Sequence, residues 1–164
     1  MPWRTLRKPD PQHRYVVSAG VFEVNRARYV PRFLRHAARV RRILPTTDGL
    51  IGFTLLARFR TRTFIEIAAF ENPDAMRRFA AQPEHAAAVR ALLPHIGGGS
   101  KLVTIEMYGR DLPPRREHVA ARLEAAPALG EHAGSSGRAV DRSDPAVPSG
   151  AHAGPARPAG APSP

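Results

Sequence analysis

The chain has 164 residues, 43% of them apolar, which is enough for one compact domain and too little for two of ordinary size with a linker. It contains no cysteine, so disulfides, thiolate zinc sites, iron–sulfur clusters and a cysteine nucleophile are all excluded. The 25 basic and 14 acidic residues leave a net charge of +11, all of it carried by residues 1–110, and only Lys8 and Lys101 among the cations are lysines. That skew, with the richness in Ala, Pro and Gly, is what GC-rich coding produces, so basicity alone does not argue for nucleic acid, which needs clustered cations with aromatics or a reading helix. No apolar run is long enough to span a membrane, and the opening MPWRTLRKPDP holds no signal-peptide core. A cytoplasmic protein without membrane contact is expected.

Residues 15–24 (YVVSAGVFEV) are rich in β-branched and aromatic side chains and predict a first strand. The period then becomes helical. Val30, Phe33, Leu34, Ala37, Val40 and Leu44 share one side, while Arg28, Arg32, Arg35, Arg39 and Arg42 step along the other, so an amphipathic helix is expected from Ala27 to Leu44, where Pro45 stops it. After the Asp48-Gly49 turn, residues 50–59 (LIGFTLLARF) and 63–70 (TFIEIAAF) predict an antiparallel hairpin. Asn72 followed by Pro73 reads as a helix N-cap. Met76, Phe79 and Ala80 face inward from that helix, Pro83 restarts it, and Glu84 to Leu93 continues until Pro94. Residues 101–108 (KLVTIEMY), after the glycine run 97–99, form a last strand.

The order β-α-β-β-α-β is the ferredoxin-like arrangement, an α+β fold with a four-stranded antiparallel sheet and helices on one face. Both faces of these strands are apolar: Val17, Ala19 and Val21 alternate with Val16, Phe22 and Val24, and Phe64, Ala68 and Phe70 with Ile65, Ile67 and Ala69. Two helices cover one face only. The other is expected to pack against a second copy, giving a homodimeric α+β barrel with a cavity between the two sheets. The composition breaks near residue 111: residues 111–164 hold 9 Pro, 6 Gly and 13 Ala with no aromatic, too little apolar bulk to offset ordering entropy. The domain is therefore read as 1–113 and residues 114–164 as a tail, with a short helix over Arg115 to Ala126, where Val119 and Leu123 are spaced i to i+4, and disorder beyond it.

The segments DGLIGF, TFIEIAAF and AFENPDAMRRFAAQPEH resemble the antibiotic-biosynthesis-monooxygenase-like family of the dimeric α+β barrel superfamily, over residues 1 to about 113. The resemblance implies cofactor-independent oxygenation of a small aromatic compound, polyketide-like or quinol-like, with neither metal nor flavin. The superfamily's haem-degrading branch is disfavoured: its Trp and His positions fall on Phe79 and Val89 here, and the first strand offers Ser18 and Gly20 where that branch has Asn. A non-catalytic ligand-binding or assembly protein on the same barrel is the alternative.

His85 points to the same side as Val89 and Leu92 and is the candidate base, since an imidazole titrates near neutrality; its plain alternative is a hydrogen bond to a nearby carbonyl. Arg41 falls within the arc of Val30, Leu34 and Ala37 and could stabilise an anion, or could snorkel out at the helix C-terminus. Glu66, Glu106 and Glu23 interrupt or end strands, as cavity carboxylates or as ion pairs. Glu66 is placed with Phe64, Phe70, Phe79 and Met107 in the ligand-binding set, the apolar members of which could equally be core. No phosphate cradle, HExxH or GxSxG motif occurs, and the seven histidines show no metal-ligand spacing.

Overall fold

The computed structural model describes residues 3–129. Strand β1 (Arg4–Thr5) precedes β2 (Arg14–Glu23), and helix α1 (Val30–Ile43) leads to the hairpin of β3 (Leu50–Arg58) and β4 (Thr63–Phe70). Helices α2 (Pro73–Ala81) and α3 (Pro83–Leu92) follow, then β5 (Lys101–Tyr108) and α4 (Arg116–Ala125). The strands form one antiparallel sheet in the order β1-β3-β4-β2-β5. Its last four members have the ferredoxin-like order.

The sheet has five strands, not the four expected. Arg4 and Thr5 pair with Phe53 and Gly52, and the Leu6 and Arg7 amides both donate to the Ile51 carbonyl, at 2.8 and 3.1 Å. Two residues are too few for an alternating pattern, so nothing local announces this strand; the open hydrogen-bonding edge of β3 recruits it. Gly52 makes the approach possible, because a Cβ there would stand 2.7 Å from the Trp3 indole.

The helices begin and end where the local chemistry dictates. Pro31 lies in the first turn of α1, and the Asn72 side chain caps α2 by accepting from the Ala75 amide at 2.9 Å. A bend at Gln82 separates α2 from α3, with Pro83 opening the second helix. All three lie on one face of the sheet, which carries Val16, Ser18, Gly20 and Phe22 from β2 and Phe64, Glu66, Ala68 and Phe70 from β4.

The opposite face carries Tyr15, Val17, Ala19, Ile67, Ala69, Ile105 and Met107, all buried. Here the chain covers its own apolar surface. Val119 of α4 is buried against these residues, Leu123, Leu112 and Trp3 pack around them, and Lys101 Nζ donates to the Glu124 carbonyl at 2.9 Å. The expected short helix at 115–126 is thus present, and it lies along the sheet. The expectation of a bare second face is corrected accordingly: part of the surface assigned to a second copy is occupied by α4, while Ile65 and Val103 stay half-buried. The disorder expected for the remaining tail falls on residues 130–164, outside the described residues. No described helix is long and apolar enough to cross a membrane.

Candidate functional site

Alternation along β4 decides which side chains can meet. Residues 64, 66, 68 and 70 face the helices, and 65, 67 and 69 face the other way. At one end of this row Phe64 stacks on Phe33 of α1, centroids 4.1 Å apart, beside Ala88 and Leu92 of α3. At the other end Phe70 meets Phe79 of α2 at 5.5 Å, and Phe79 meets His85 of α3 at 4.7 Å. Glu66 stands between these two aromatic groups. Its lateral neighbours are Gly20 on β2 and Leu55 on β3. Gly20 is required by the crowding: the Phe22 ring lies over it, 2.7 Å from where a Cβ would be.

Glu66 has no hydrogen bond or ion pair among the described residues, and burial raises its carboxyl from 4.5 to about 7. Desolvation disfavours the carboxylate, and no cation offsets it. This differs from Glu106, another strand carboxylate considered, which pairs with Arg14 at 3.3 Å on exposed surface. Glu106 is registered with Val16, four residues along β2 from the partner of Glu66 and on an outer strand, so the two carboxylates do not form a pair of acid and base.

His85 is half-buried, with Nδ1 3.1 Å from the Ala80 carbonyl oxygen. A carbonyl only accepts, so Nδ1 carries the proton in that bond and Nε2 of the neutral ring keeps its lone pair. The carbonyl contact weighed as a structural role and the availability of a basic nitrogen therefore coexist.

Two of the residues selected from the sequence are not brought to this group. Arg41 is exposed. The inward stripe of α1 runs through buried Phe33 and half-buried Ala37 and Val40, continued by Leu44 just past its end, and Arg41 sits about 70° off its centre at roughly 100° per residue, next to Leu34, which is itself 37% exposed. Including Leu34 in the inward arc is what displaced the reading. Met107 is the second correction. It is registered with Tyr15 and lies in the core under α4, on the opposite side of the sheet from Phe64, Glu66 and Phe70. Phe64, Glu66, Phe70, Phe79 and His85 are accordingly gathered within the protomer, on the helix-covered side of the sheet.

Gln82 was not singled out from the sequence. It occupies the N-cap of α3 but makes no capping bond, and its Oε1 is screened from solvent with no hydrogen-bond partner among the described residues. The available signal was compositional: Gln is a poor N-cap where Ser, Thr, Asn or Asp is usual. Among the described residues no group of three or more His, Asp or Glu side chains is arranged to hold a metal ion.

No protein-family model matches the chain, and no curated protein sequence matches it. Solved structures do. A candidate monooxygenase from Lactobacillus acidophilus superposes with a TM-score of 0.52 at 11% identity, over 63% of this chain and 49% of that one. A candidate antibiotic biosynthesis monooxygenase from Nitrosomonas europaea gives 0.50 at 11%, over 55% and 95%. SnoaB, a cofactor-independent oxygenase from Streptomyces nogalater, is 24% identical over 62% and 98%, with a TM-score of 0.46. At these identities the likeness concerns the fold. The described chain has the fold of the antibiotic-biosynthesis-monooxygenase-like proteins.

Proposed function

We propose that the protein oxygenates a small, electron-rich aromatic compound held between the sheet and its helices, without an added cofactor, and that Glu66 takes the proton. The observation that carries this reading is the Glu66 carboxyl, set without a partner between two aromatic groups. A base that titrates to about 7 is matched to proton removal at neutral pH, and the rings of Phe64, Phe70 and Phe79 suit a flat apolar guest. In an anthrone-type substrate the reacting carbon is a methylene. Glu66 accepts one proton from it, the carbanion reduces dioxygen and forms a C–O bond, and the second oxygen leaves as water with both methylene hydrogens, so the methylene becomes a carbonyl. The chain's part is desolvation, orientation and the base. His85, through Nε2, is the second proton acceptor at the Phe79 end. A homodimer through the half-buried part of the second face belongs to the same reading.

Oxygen uptake with dithranol in metal-free and flavin-free buffer tests it. One dioxygen consumed per anthrone is expected, with kcat/KM rising through about pH 7. Glu66→Gln is expected to lower kcat by roughly 10²-fold or more, the usual range for removal of a general base. An unchanged rate in that variant rejects Glu66 as the base, and saturable binding with no oxygen uptake makes the protein a ligand binder.

A further inference from the structure

We infer that Gln82 is a specificity residue of this same site: its amide turns into the space between helices and sheet and there hydrogen-bonds a hydroxyl carried by the aromatic ligand. This rests on the reading of that space as the binding site. Gln82 stands at the corner between α2 and α3, three residues after Phe79 and three before His85. Those two rings touch each other at 4.7 Å, and Phe79 touches Phe70 of the sheet, so the corner closes directly over the helix-covered face. The backbone of Gln82 is fully used: its N–H donates to the Phe79 carbonyl at 3.1 Å and its carbonyl accepts from the Ala86 amide at 2.9 Å. The side chain has no such employment. It does not cap α3, and its buried Oε1 meets no donor among the described residues.

A buried amide oxygen without a partner is costly, whereas an apolar side chain of the same length would fill the corner without that cost. The group is explained if a ligand supplies the missing hydrogen bond. A hydroxyl suits the position well, because it donates to an amide oxygen and accepts from an amide N–H and is therefore recognised by either end of the Gln82 side chain. Glu66 cannot substitute for this role, since its carboxyl is committed to the reacting centre on the sheet side. The substrate class narrows accordingly from any small aromatic to one bearing a phenolic or enolic hydroxyl. Sites built to hydrogen-bond a hydroxyl discriminate strongly against analogues that lack it, because the protein group is then left unpaired.

Equilibrium dialysis of the full-length protein with 1-naphthol and with naphthalene, for the natural chain and for Gln82→Met and Gln82→Leu, reads the inference directly. The ratio of the two affinities is expected to shift toward naphthalene by roughly three- to tenfold in both variants, the size of one hydrogen bond, with naphthalene binding itself not weakened. An unchanged ratio in a variant that still binds naphthalene overturns the role of Gln82 and leaves the binding site standing. If the natural protein binds neither compound, the site reading fails and this inference fails with it.

Discussion

The two faces of the sheet are made of the same kinds of residue, yet they are closed in different ways. On the face under α4, Val17, Ala19 and Ala69 are completely buried, and the Tyr15 hydroxyl accepts from the Asp10 amide at 2.9 Å. On the face under α1, α2 and α3, the Glu66 carboxyl lies between two aromatic groups with no hydrogen bond or ion pair among the described residues, and at the corner between α2 and α3 the buried Gln82 amide oxygen has none among them either. Apolarity therefore does not distinguish a site from a core. The distinguishing feature is polar groups whose desolvation nothing in the chain offsets, since these are rare in folded proteins and call for an explanation.

The comparison can be broken on either side. If the α4 face is a closed core, Ile105→Ala leaves a cavity and costs about 2–5 kcal/mol in urea unfolding. A loss under about 1 kcal/mol would mean that the face is loosely packed. On the helix-covered face the effect runs the other way. The folded-state titration of Glu66 lies near 7, above the ordinary 4.5, so between these values the native state holds a proton that the unfolded chain has released. Stability is thus fully present below about pH 4.5 and declines as pH rises to about 7, by on the order of 3 kcal/mol. Glu66→Gln is expected to remove this decline and to be the more stable protein at pH 8, measured by denaturant midpoints across the pH range. A flat profile in the natural protein would show that the carboxyl is solvated after all. The smallest effect is expected at Arg41, whose replacement by Ala should change stability by less than about 0.5 kcal/mol and leave aromatic ligand binding unaltered.

Much of the architecture was legible from local pattern. The hairpin strand Thr63–Phe70 and the last strand Lys101–Tyr108 form over the residues that their alternation indicates, and Asn72 caps its helix through the predicted side chain. Strand β1 was not legible, because its cause is an open strand edge some fifty residues later in the chain. The helix at 116–125 was legible as a helix but not as a cover for the sheet, since Val119 and Leu123 give only a thin apolar stripe. In the candidate site, Phe64, Glu66 and Phe70 are separated by even numbers of residues along one strand, so their common face could be read directly. Arg41 and Gln82 could not be placed that way. For Arg41 the margin between an inward and an outward arc is less than one residue's rotation, and for Gln82 the decisive event is a bend between two helices.

Periodicity by itself determined the element order, the ferredoxin-like class and which residues of each strand share a side, because side-chain direction is fixed by the backbone repeat. Which side belongs to the helices, which is sealed by α4, and which polar atoms are left unsatisfied were decided only by the folded chain. Those outcomes depend on contacts between segments far apart in sequence, and a buried atom's lack of a partner is a property of all its surroundings at once.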